Sequence, residues 1–74
     1  NPTTQIAFKL TKTDHVSLSV FNILGQKVAT IVNDKLKAGS HQAMFDGQGL
    51  ASGVYTYQLK AGNQIQTRKM MLIK

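Results

Sequence analysis

Asp14, Asp34 and Asp46 are the only carboxylate side chains among the 74 residues, so any acid–base chemistry would have to use them. General acid–base work needs two titratable groups converging on one bond. Here each aspartate sits in a turn-like context, TKTD, VNDK or FDGQ. Asp14 and Asp34 read as turn or solvating residues, and Asp46 as a side-chain cap of a turn. His15 and His41 have no companion at metal-ligand spacing and cysteine is absent, so no metal site is expected. Ser17, Ser19, Ser40 and Ser52 lack the glycine-flanked elbow of a hydrolase nucleophile. The glycine-rich DGQGLASG has neither the lysine nor the following helix of a phosphate loop. The expectation is a non-enzymatic chain with no catalytic residue, no cofactor and no small-molecule substrate.

A chain of this length makes one domain, near the size at which a single core becomes marginal. No apolar run approaches the roughly 18 residues of a membrane span. The polar start, NPTTQ, is no signal peptide, so a signal for export would lie upstream. Nine Lys or Arg against three Asp give a net charge of +6. The cations are scattered and do not alternate with aromatics as a base-stacking platform would, so nucleic acid is not an expected partner. They read instead as solvated strand edges and turns.

The elements carrying these residues have a hydrophobic period of two, which argues for strands. Ile6, Phe8 and Leu10 alternate in TQIAFKL, and Val16, Leu18 and Val20 in HVSLSVF, with TKTD as a polar turn between them. NILG predicts a tight reversal, with Asn22 bonding its own backbone and Gly25 at the last turn position. In QKVATIV the residues Val28, Ala29, Ile31 and Val32 blur the alternation. β-Branched content and the lack of a helix cap favour a strand over a short helix. NDKLKAGS reads as a loop before HQAMF, where Ala43 and Phe45 share the inner face and Met44 takes the other. Leu50, alone in a glycine-dense loop, is expected to plug the end of the core. VYTYQLK alternates cleanly, AGNQ supplies a two-residue turn at Gly62, and a last strand runs from Gln64 to about Ile73. Six to seven short strands without a helix predict an all-β, immunoglobulin-like antiparallel β-sandwich.

Two features stand out on that frame. Tyr55 and Tyr57 share a strand face, which suits a carbohydrate platform but more simply builds the core edge with Leu59. The chain closes on KMMLIK, four apolar residues between lysines. Ile65 and Leu72 have opposite parity, so the last strand is expected to bulge or to be buried on both faces near its end. An edge strand with unpaired backbone groups could also be read by a partner that adds a strand, Lys69 and Lys74 setting its orientation.

The ordered series NPTTQIAFKL, VSLSVFNILGQKV, AGSHQAMFDG, LASGVYTYQL and KMMLIK closely resembles the type A C-terminal sorting domain of the type IX secretion (Por) system of Bacteroidota. The resemblance covers essentially the whole chain. It departs at Thr11, where many members have proline, at Phe45, where tryptophan is common, and at Phe21–Asn22, where Tyr–Asp is common. What it implies is a signal domain, residues 1–74, at the end of a larger secreted protein whose cargo lies N-terminal to it. The implied partners are the type IX translocon, its outer-membrane shuttle protein and a surface sortase. The implied route runs through the periplasm to the cell surface or medium, with sortase removal at or upstream of Asn1 in many members. By position, the candidate recognition residues are Gly53, Val54, Tyr55, Lys69, Met70, Met71, Leu72, Ile73 and Lys74. Gly25 and Asp46–Gly47 match turn positions that serve folding. The alternative is an immunoglobulin-like or fibronectin-like spacer, or a carbohydrate-binding module resting on Tyr55 and Tyr57.

Overall fold

A computed structural model describes residues 3–47 and 49–73 of the chain. Lys74 and Asn1, and the expectations attached to them, lie outside the described residues. Six strands follow one another: β1 (Thr3–Leu10), β2 (Asp14–Phe21), β3 (Lys27–Leu36), β4 (Gly39–Asp46), β5 (Gly53–Ala61) and β6 (Gln64–Leu72). They form two antiparallel sheets, a two-stranded β1-β4 and a four-stranded β3-β2-β5-β6. The chain therefore crosses between layers at β1–β2, β3–β4 and β4–β5, and the all-β sandwich expected from the period-two pattern is what forms.

The core is the inner parity of each strand. Ile6 and Leu10 come from β1, Val16, Leu18 and Val20 from β2, Phe45 from β4, Tyr55 and Leu59 from β5, and Leu72 from β6. β2, paired on both sides, supplies the three fully buried side chains. Ala43 and Leu50 pack against this cluster and Met44 is exposed, as the alternation requires.

β3 explains its own irregular sequence. It pairs with β2 through Leu18↔Val32, Ser19↔Thr30, Val20↔Ala29 and Phe21↔Lys27, so Ile31 and Val28 are extra residues at two register shifts. Each shift returns an apolar side chain toward the core that strict alternation would have sent outward, hence Val28, Ala29, Ile31 and Val32 all half-buried. The strand also continues to Leu36, four residues beyond the expected end. NDKL is thus β-structure rather than loop, held by Asp14↔Leu36 and its neighbours.

The reversal from β2 to β3 is built by Asn22. Its Oδ1 accepts the backbone N–H groups of Leu24 at 3.0 Å and Gln26 at 2.9 Å. Its carbonyl accepts the Gly25 N–H at 3.0 Å. Asn22→Ala removes both side-chain acceptances and should cost about 1 kcal/mol, seen as a fall of about 4–8 °C in the melting temperature of a domain this small. A melting temperature within a degree or so of the parent would show that the backbone alone holds the turn.

The β5–β6 hairpin turns at Gly62, whose φ of +59° fits the first centre of a type II′ turn. Gly47, after β4, is needed for a different reason: a Cβ there would lie 2.8 Å from a Leu72 methyl carbon. Since Leu72 is itself buried, Gly47→Ala must push it out of a packed seat. Such overpacking costs about 1–3 kcal/mol, and a chemical-denaturation midpoint equal to the parent's would contradict it.

Candidate recognition surface

Residues expected to matter at two distant places in the chain meet in the fold. Gly53↔Leu72, Val54↔Met71 and Tyr55↔Met70 are direct cross-strand partners of β5 and β6, followed by Thr56↔Lys69. β6 is the last strand of its sheet, so one row of its backbone N–H and C=O groups has no ladder partner.

The β5–β6 register is unbroken from Ala61↔Gln64 to Gly53↔Leu72, which corrects the expected bulge or double burial. Strict alternation holds, and the parity of Ile65 and Leu72 is resolved by leaving Ile65 exposed. Leu72 is 4% exposed and Met70 half-buried on the inner face, whereas Met71 and Ile73 are 68% and 70% exposed. The tail is therefore a closing strand on one face and an uncovered apolar surface on the other. Lys69 is exposed on that same outer parity.

The outer apolar surface extends beyond the residues named from sequence. Val54 neighbours Met71, and the Phe21↔Thr56 pair places the β2–β3 turn at this same end of the sheet. That turn carries Ile23 and Leu24, 81% and 79% exposed. The signal was in the sequence: NILG puts two large apolar residues at turn centres where polar residues are usual. Among the described residues, five of the seven large exposed apolar side chains, Ile23, Leu24, Val54, Met71 and Ile73, thus gather at one end of the four-stranded sheet. Scattered exposed apolar residues mean little, whereas a gathered set makes this end of the sheet the candidate interaction surface.

The residues that could do chemistry are dispersed. His15 Nε2 lies 2.8 Å from Asn33 Oδ1, and His41 Nε2 donates to the Lys37 carbonyl at 2.6 Å. The ring of His41 also stacks on Phe8 at 5.5 Å between centroids. Asp14 and Asp34 each accept the following residue's N–H. Among the described residues no three His, Cys, Asp or Glu side chains gather to hold a metal ion. Tyr55 is buried with its hydroxyl donating to the Ala51 carbonyl at 2.7 Å, so it offers no sugar-binding face. Tyr57 is half-buried between the sheets.

No curated protein matches the chain, and no solved structure does. A family model does, over residues 1–74, and its description is a secretion system C-terminal sorting domain. Such a domain implies an attached cargo protein and a secretion machinery that exports it, and the family is one of generally non-catalytic signals. With the motif order, the all-β sandwich and the whole-length match in agreement, the chain belongs to the C-terminal sorting domain family of the type IX (Por) secretion system.

Proposed function

We propose that residues 1–74 act as a single non-catalytic sorting unit, fused behind a larger cargo and read by the type IX translocon and its shuttle protein at the outer membrane. The element read is the free edge of β6 with the outer side chains of Lys69, Met71 and Ile73 and the Lys74 that follows them in sequence, together with Gly53 and Val54 beside it, the buried Tyr55 holding β5 in place. The observation that carries this reading is that Met71 and Ile73 are left exposed beside an unpaired strand edge while Leu72, between them, completes the core. An unpaired edge gives a partner main-chain hydrogen bonds, and alternate apolar side chains give it specificity. Folding and recognition then share one strand, so only a folded sandwich presents the signal. The cargo passes from periplasm to cell surface or medium, and a surface sortase removes the domain and joins the cargo to anionic lipopolysaccharide.

The test is a periplasm-directed fluorescent protein carrying residues 1–74 at its C-terminus, in a bacterium with a working type IX system. Delivery to the surface or medium in the wild type, and retention in a translocon-null strain, is the expected result. Retention of a folded fusion in both strains would overturn the reading and return the chain to a spacer role.

A further inference from the structure

The two layers do not match in width. A four-stranded sheet faces a two-stranded one, so part of its inner face has no strand above it. The uncovered part is identified by its lining. A cleft of about 690 Å³ lies between the β1–β4 pair, at Ile6–Lys9 and Ser40–Gln42, and residues of β2, β5 and β6 that include Tyr57, Gln66 and Arg68. A small gap bounded by Lys9, Leu10, Leu59 and Gln66 continues it, and leads to a cavity of about 150 Å³ beside Leu10, Lys12 and Asp14. The cleft and the gap run along β1, whose side away from β4 has no strand partner, and the cavity lies at its end, between the β1–β2 connection and the β5–β6 turn. Together they form a slot flanking Ile6–Leu10, about 16 Å long at the rise of a strand. A strand added to β1 would lie about 4.8 Å beyond it and so above β6.

The chemistry of the slot selects what fills it. Gln66 and Arg68 have the inner parity of Met70 and Leu72, yet both are exposed. An inward-pointing charge at a sheet margin repels an apolar strand, because the charge would be buried without a partner. It accepts a strand that brings a carboxylate. The main cleft holds Lys9 and Arg68 and no carboxylate among its lining residues; Asp14, at the far end, is the one acid in the slot. A second copy of this chain is disfavoured by its net charge of +6. We infer that the free edge of β1 and the cleft beneath it bind an extended acidic peptide segment of another protein as a third strand of the two-stranded sheet, with a carboxylate on Arg68. Alternate backbone groups of Ile6–Leu10 supply the ladder, and Phe8, Tyr57 and Leu59 pack its inward apolar residues. Its backbone edge is that of β1 and the face of β6 it uses is the inner one, opposite the outer face in the sorting surface proposed above, so it stands or falls separately.

The test uses the 74-residue chain and labelled nine-residue peptides of alternating valine and threonine. One carries aspartate at two inward positions, one lysine at the same positions, and one the aspartates with proline at alternate backbone sites. Fluorescence anisotropy should show the aspartate peptide binding at least tenfold more tightly than either other peptide. Arg68→Glu, an exposed substitution, should reverse the order of the aspartate and lysine peptides, and Lys9→Glu should weaken the aspartate peptide severalfold. On binding, amide exchange should slow in β1 and not in β3 or β6. Equal binding of the proline peptide would reduce the effect to surface charge and overturn the proposal. So would protection confined to β6 or β3, absence of binding by all three peptides, or concentration-dependent self-association that protects β1 without peptide.

Discussion

Leu72→Ala is expected to remove a large share of the domain's stability, although only Ile73 and Lys74 follow it in the sequence. The side chain is 4% exposed and belongs to the core cluster with Ile6, Phe45 and Tyr55. It is also the residue against which Gly47 packs, so it ties β6 to the β4–β5 connection. Truncating a buried leucine costs about 2–5 kcal/mol, from lost transfer energy plus the cavity left behind. Total stability of a domain is about 5–15 kcal/mol, and a chain this short with no disulfide belongs at the lower end. The loss is thus a large share of the whole. Its neighbours provide the control: Ile73→Ala, at an exposed position, should change stability by no more than about 0.5 kcal/mol. Urea unfolding followed by circular dichroism separates the two. A Leu72→Ala midpoint close to that of Ile73→Ala would show that the tail docks loosely and that the core closes without it.

How much of this was readable from sequence depends on which interactions decide each element. β1, β2, β4 and β5 were legible because their alternation is clean, and a period of two has one physical meaning when one face is buried. β3 was legible as a strand but not in length or register. Its Val28 and Ile31 bulges are set by pairing with β2, a partner that local sequence does not name. β6 misled in an instructive way. Ile65 looks like a core residue by type, and taking it so forces a bulge; in the unbroken register it shares the outer face of Lys69 and Met71, away from the other sheet, and is left exposed. The recognition residues show the same division. Gly53–Tyr55 and Lys69–Lys74 were named by resemblance, and pairing explains why distant segments would act together. Ile23 and Leu24 were missed because turn residues were weighed for backbone geometry alone, and only the Phe21↔Thr56 register brings them to the same end as Met71. The slot beside β1 could not be anticipated at all, since it arises from two sheets of unequal width.

The second large effect separates folding from sorting. Deleting Lys69–Lys74 would abolish export on either account, because the deletion also takes Leu72 out of the core. Met71→Asp with Ile73→Asp avoids that ambiguity. Both side chains are about two-thirds exposed or more and lie on the parity opposite Leu72, so the double variant should keep its melting temperature within a few degrees of the parent. Delivery of the fluorescent fusion to the surface or medium should nevertheless fall at least tenfold, the equivalent of about 1.4 kcal/mol of recognition energy. Two carboxylates placed on an apolar contact must be desolvated for a partner to dock, a cost of several kcal/mol per ion where no partner charge compensates. Ile65→Asp, the same change at the far end of β6, should leave delivery unaltered. Full export of the folded double variant would remove the outer face of β6 from recognition and leave only its backbone edge. Loss of export in Ile65→Asp as well would mean that acidic substitutions anywhere on the strand interfere, through net charge rather than through a surface at one end of the sheet.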